Sequence, residues 1–361
     1  MATETTEKSY QCCQCLKRFK RSQHLAQHSS STGHNPKQEI GATTLQHDST
    51  GSNVYRGHQY SQDLSADRTI YPLLLESCHS QDRLESERYR LQIEDELGNG
   101  SKGQFFLAPK SPTARLAVVL DCEMAATKEC DRELISICAL DFLTGEVLVK
   151  SLVKPPLPIV QWKSSIHGIT PTAMAVARAN GQTLDGPQGA RAELWKHVGE
   201  DTLLIGHALA HDLNALHVAH RRVVDSSILT ADAVFGKGAS QPRRWGLAAL
   251  CKDNLGLAIR QGATSRTGVH DDLEDALATR ELVLWCLRQP VGLAFWANRA
   301  RSISAQGQKR NRGRARRRAG KQRTKSPPGG YGGNDDEVEV LRFRDVVDWD
   351  MWPKSSPDWS D

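Results

Sequence analysis

Leu116-Ala117-Val118-Val119-Leu120-Asp121-Cys122-Glu123 (LAVVLDCE) is the stretch that decides the fold. Five apolar residues in a row read as a buried strand. At its end Asp121 and Glu123 stand at i and i+2, so both carboxylates project from one face. Like charges side by side are costly unless a cation sits between them. Alone, the triplet fits a solvated strand end equally well.

Working outward, Leu134–Leu140 and Val147–Val153 are further strands, joined through the turn Leu143-Thr144-Gly145-Glu146. A helix fits 171–178, with Thr170 as cap and Pro171 at its first position. Another fits 188–198. Leu203-Leu204-Ile205 is a short buried strand, followed by a helix near 209–217 and a strand starting at Val223-Val224. Helices are expected over 245–255 and 272–287, the second with Leu273, Leu277, Leu284 and Leu287 on one face. This is an α/β pattern, a mixed sheet flanked by helices.

Two more acidic elements fall on this frame. Gly206-His207 ends a strand, and Asp212 lies in the first turns of the next helix, able to aim back at the strand ends. His270 precedes the last helix, and Asp275 lies inside it beside the packing stripe, where an unpaired acid is expensive. Asp271, Asp272 and Glu274 read as solvated acids favoured by the helix N-terminus. Hard carboxylates without thiolates select Mg²⁺ or Mn²⁺. Four of them on three segments suit a pair of ions ~3.5–4 Å apart, the arrangement of phosphodiester hydrolysis. His270 is placed to take a water's proton.

The chain has 361 residues, a net charge of +5, 39% hydrophobic residues and 6% aromatic residues. Core material for one catalytic-size domain is present, with part of the chain unpacked. No run of 18 apolar residues exists, so no transmembrane helix and no membrane partner are expected. The N-terminus lacks an apolar signal region. Nine cysteines without framework spacing argue for a reducing compartment. Residues 309–325 hold ten Lys or Arg and no acid, whereas residues 335–361 hold nine acids against three bases. The basic arm reads as a nucleic-acid contact and a nuclear address. Localisation is therefore expected to be nuclear, with the cytoplasm as a second compartment.

Cys12, Cys15, His28 and His34 form C-x2-C-x12-H-x5-H, the spacing of a tetrahedral structural Zn²⁺ site. About 25 residues cannot fold without such a metal. Residues 10–34 resemble a C2H2 zinc finger, which implies a small ββα module that tethers nucleic acid or a protein.

D-x-E, then G-H-x4-D, then H-x4-D, in this order, resembles the DEDDh (DnaQ-like) 3′→5′ exonucleases of the ribonuclease H-like fold. VLDCEM, IHGIT, GHALAHDL, VVDSSIL, WGLAALC and GVHDDLEDA resemble the eukaryotic RNA-exonuclease branch. The resemblance covers about 116–288. It implies a mixed five-stranded sheet, with Asp121, Glu123, Asp212 and Asp275 as ligands of two Mg²⁺ or Mn²⁺ and His270 as general base. His207 matches a family position as a structural or substrate-contacting residue. Lys163-Ser164 ahead of His167-Gly168-Ile169 departs from the branch, which carries Arg-Thr ahead of Ser-Gly-Ile. The expected layout is a finger at 10–34, a mostly disordered linker at 35–113 with a charged helix near 80–97, the exonuclease domain at 114–290, and a basic arm with acidic tail at 300–361. The expected activity is RNA hydrolysis. A DNA exonuclease or a catalytically weak nucleic-acid-binding protein are the alternatives.

Overall fold

A computed structural model describes residues 53–92, 104–237, 244–261 and 269–304, with residues 10, 11, 18, 19, 24, 27, 28, 31, 46 and 47. Near the N-terminus β1 (Tyr10–Gln11) and β2 (Arg18–Phe19) pair antiparallel. Cys12, Cys15 and His34, three of the four expected zinc ligands, lie outside the described residues, as do the basic arm and acidic tail. The fourth, His28, is helical. β3 (Gln46–His47), β4 (Asn53–Tyr55) and β5 (His58–Tyr60) form a small antiparallel sheet. α1 (Ile70–Glu76) and α2 (Gln81–Ser86) follow, with Ser80 capping α2 by accepting from Arg83 N.

β6 (Phe106–Leu107) precedes the long central strand β7 (Ala117–Ala125), which extends the expected 116–120 strand through the acidic triplet. β8 (Glu133–Asp141) and β9 (Val147–Lys154) complete an antiparallel meander. α3 (Ser164–His167) and α4 (Pro171–Ala179) come next, with Thr170 capping α4 through Ala173 N as expected. Then follow β10 (Thr183–Asp185), α5 (Gly186–Leu194), β11 (Leu203–Gly206), α6 (Ala210–Ala215), β12 (Val218–Ala219) and β13 (Val223–Asp225). α7 (Ser226–Phe235), α8 (Leu247–Leu255), α9 (Asp272–Arg288) and α10 (290–304) close the described chain. The sheet order is β10-β9-β8-β7-β11-β13, with β7 antiparallel to β8 and parallel to β11. This six-stranded mixed sheet with flanking helices matches the ribonuclease H-like expectation.

Val118, Leu120 and Cys122 face one core with Leu204 and Leu213; Ala117 and Val119 face another with Leu273, Ala276 and Leu277 of α9. The period of two therefore sends Asp121 and Glu123 to the α9 side. A register shift between Glu123 and Met124 bends β7 just there. No helix among the described residues is long and apolar enough to cross a membrane.

Four expectations need correction. The sheet has six strands, not five, because Thr183-Leu184-Asp185 pairs parallel to β9 in a stretch too short and polar to read from sequence. Residues 53–92 are not linker: Ile70, Leu74 and Leu84 are fully buried, each such residue contributing roughly 1.5–3 kcal/mol. Arg280, also fully buried, donates to the carbonyls of Ser61, Gln62, Phe142 and Leu143, tying this segment to α9 and the β8–β9 turn. The charged helix proposed near 80–97 ends at Ser86. At the other end the fold runs past 290, since Trp296, Ala297 and Ala300 of α10 are buried against α8 and α9.

Candidate active site

Each acidic residue arrives by a different element. β11 pairs with β7 only as far as Ile205 opposite Val119. Beyond that point β7 needs another acceptor, and Cys122 N–H donates to Asp212 Oδ1 at 2.9 Å. The chain reaches Asp212 through a tight turn. Gly206 comes so close to Leu209 that a Cβ would lie 2.7 Å from its side chain, and Ala208 has φ 56°. Asp225 holds this turn by accepting from Ala208 N (3.0 Å), Leu209 N (3.1 Å) and Tyr89 Oη (2.6 Å). Asp225 gives one signal in the sequence, an acid closing the strand Val223–Asp225.

On the far side, Asp271 caps α9 by accepting from Leu273 N and Glu274 N. Asp275, one turn in, is 2% exposed. His270 is held by its own N–H, which donates to Ile166 O at 2.7 Å. Ile166 belongs to the segment that departs from the family pattern. There His167 is buried, accepts from Ile169 N at Nδ1 and faces Trp162 O with Nε2 at 2.7 Å. Its role here is to shape the loop beneath His270.

Glu123, His270 and Asp275 each place a ligand atom within 4.8 Å of the others. Asp121 and Asp212 stand beside this trio: Asp275, Asp212 and Glu123 are the largest charges repelling the Asp121 carboxylate. Glu123, His270 and Asp275 thus come together, with Asp121 and Asp212 near enough for their charges to act on the same acids. His207 hydrogen-bonds Ser226 Oγ at 2.8 Å. Asp272 and Glu274 are not solvated, contrary to expectation. Asp272 binds Ser136 and Lys150, and Glu274 is 1% exposed and accepts from Arg260 N at 2.9 Å.

Burial first, then repulsion by neighbouring acids, pushes all four carboxyls upward: Glu123 to about 9, Asp212 to about 8, and Asp121 and Asp275 above the usual range, Asp275 against the pull of Arg260. For Asp212 the Cys122 N–H opposes the rise. Burial, then the nearby Arg260 charge, lowers His270 to about 3, so its imidazole is neutral at physiological pH. Among the described residues Glu123 Oε1 is buried without a hydrogen-bond partner. A clustered, desolvated set of oxygen donors with an orphaned oxygen is what a hard divalent cation satisfies.

Sequence reasoning missed four neighbours. Arg260 grips Asp275 through Nε (3.1 Å) and Nη2 (2.7 Å). From the N-terminal hairpin, Tyr55 Oη donates to Asp271 at 3.1 Å and Arg56 pairs with Asp271 at 3.0 Å. Lys150 approaches Asp272 at 3.4 Å.

Residues 118–283 match the exonuclease family RNase_T. RNA exonuclease 3 of Emericella nidulans is 32% identical over 199 residues, covering 50% of this chain and 30% of that protein. Small RNA degrading nuclease 2 of Arabidopsis thaliana is 30% identical over 174 residues, 48% of this chain and 35% of its own length. RNA exonuclease 4 of Aspergillus fumigatus is 34% identical over 177 residues, 47% of this chain and 51% of its own. The chain thus spans between about a third and a half of these relatives. The Pan2 catalytic unit of Neurospora crassa aligns with TM-score 0.42 and 21% identity over 58% of this chain and 33% of that one. Residues 118–283 are thus similar to the RNase_T exonuclease domain.

Proposed function

We propose that this chain is a metal-dependent exoribonuclease that removes nucleotides from the 3′ end of RNA. The observation that carries the reading is the convergence of Glu123, His270 and Asp275 within 4.8 Å, around an orphaned carboxylate oxygen. Asp121, Glu123, Asp212 and Asp275 would hold two Mg²⁺ or Mn²⁺. Such ions supply an activated water and stabilise charge on the leaving oxygen. The chain's own part is positional. β7 and α9 fix three of the acids on rigid elements, and Asp225 fixes the turn that delivers Asp212. His270, neutral and held by Ile166 O, accepts the water's proton at Nδ1, the nitrogen that faces Asp275. The cores on both sides of β7 exclude bulk water from the carboxylates.

RNA is favoured over DNA because the similar proteins are named RNA exonucleases; the acids themselves do not read the sugar. Cys12, Cys15, His28 and His34 would hold a structural Zn²⁺, a reading supported by their spacing, by the β1–β2 pair around Cys12 and Cys15, and by helical His28. The basic run at 309–325 supports a nuclear address and a phosphate contact.

The test is incubation with 5′-labelled RNA and with DNA of the same sequence, with and without EDTA. A ladder shortening from the unlabelled end of RNA, abolished by chelation, is expected. Internal cuts, or cleavage that survives EDTA, refute the reading. Faster degradation of the DNA strand transfers it to the DNA alternative.

A further inference from the structure

Arg260 lies where a cation is needed and where sequence gave no reason to expect one. Its backbone is left-handed, with φ 64°, a strained conformation for a residue other than glycine. Two anchors hold it there. Its N–H donates to buried Glu274, and its guanidinium forks onto both oxygens of Asp275. The side chain is 17% exposed, so this is a built contact, not a swinging surface arginine. Its charge reaches beyond Asp275, acting also on Asp121, Glu123 and His270. A bidentate guanidinium–carboxylate pair is among the stronger polar contacts a protein makes. The oxygens it engages are those that a divalent cation would use, and the two positive charges repel at that distance.

We propose that Arg260 is a positioning residue that holds Asp275 in the metal-free chain and is exchanged for the divalent cation on loading. The guanidinium and the metal thus compete for one carboxylate. The inference rests on the metal-site reading of the proposed function. In the free chain Arg260 keeps Asp275 aimed into the pocket and neutralises part of a four-acid cluster. On loading, the fork opens and the guanidinium releases both oxygens of Asp275.

The experiment is isothermal titration of Mn²⁺ into the full chain without RNA, using wild type, Arg260→Gln and Arg260→Lys. Asp121→Asn serves as the blank for Mn²⁺ taken up elsewhere. Removing the competitor in Arg260→Gln is expected to tighten Mn²⁺ binding roughly tenfold or more, ~1.4 kcal/mol. Arg260→Lys, which keeps the charge but loses the fork, falls between the two. Melting in EDTA is expected to show Arg260→Gln less stable than wild type, yet raised further by Mn²⁺. A merely structural arginine would leave Mn²⁺ affinity unchanged or weaken it; either result in both variants overturns the proposal. Wild type that takes up no more Mn²⁺ than Asp121→Asn overturns the metal-site reading itself, and this inference with it.

Discussion

Glu123→Gln is expected to stabilise the metal-free protein while abolishing its cleavage of RNA. Glu123 is 7% exposed, and Oε1 has no partner among the described residues. Burial first, then repulsion by Asp275 and Asp272, holds its carboxyl at about 9 against an ordinary 4.5. Such a group is protonated in both folded and unfolded chains at low pH. Its contribution to stability is intact below 4.5 and is lost as pH rises toward 9. At about pH 7.5 the loss is at most ~4 kcal/mol, from ~1.36 kcal/mol per pKa unit. Glutamine removes the titration, and its amide finds carboxylate acceptors nearby, but it remains a buried polar group. Half the bound, about 2 kcal/mol, is the expected gain, or roughly 4–8 °C in Tm for a domain of this size. The assay is thermal unfolding in EDTA at about pH 5 and about pH 7.5, repeated with Mg²⁺. The advantage of Glu123→Gln should be small at the lower pH, large at the higher, and reversed by Mg²⁺, which stabilises wild type by mass action. A variant less stable than wild type in EDTA at about pH 7.5, or an advantage that ignores pH, refutes the argument that these acids are poised for a cation.

Other outcomes follow from the same geometry. Asp212→Asn should lose nearly all activity and a share of cation affinity; wild-type cleavage in Mg²⁺ removes Asp212 from the site. His270→Ala should keep Mn²⁺ affinity and lose roughly 10²–10⁴ in rate, as for a lost general base; an unchanged rate assigns the proton elsewhere. Because Glu123 and Asp212 sit at about 9 and about 8 without metal, loading near pH 7 should release protons, and affinity should weaken as pH falls. Titration in buffers of differing ionisation enthalpy measures this, and zero proton release contradicts it. Arg280→Met should cost about 3–5 kcal/mol, since it strands carbonyls from Ser61, Gln62, Phe142 and Leu143. Denaturant unfolding and early proteolysis of the 53–92 segment report it; unchanged stability refutes the tie.

The acidic quartet was legible because strand and helix periods are short-range rules. Asp121 and Glu123 share a face by the period of two, and Asp275 stands beside a leucine stripe that must be buried. The central strands and the capped helix at Thr170 followed from the same rules. What stayed hidden depends on partners far away in sequence. Arg260 is one arginine in an unpatterned loop, and only the fold brings it to Asp275. Glu274 reads as a solvated acid until Arg260 and Arg56 close over it. Residues 53–92 are polar on average, and Ile70, Leu74 and Leu84 are spaced without a period long enough to announce a core. α7 escaped because it is buried on nearly all sides and lacks the polar face that marks an amphipathic helix.

The β4–β5 hairpin has a consequence for how this fold is inherited as a unit. Tyr55 and Arg56 brace the cap of α9, the helix that carries Asp275, from more than two hundred residues away in the chain. A fragment trimmed to the motif-bearing span would keep every acid yet lose the buttress and part of the core beneath it. Recombination that shuffles only that span would transplant chemistry without its scaffold, so the piece that selection can move intact is wider than the piece that sequence similarity outlines.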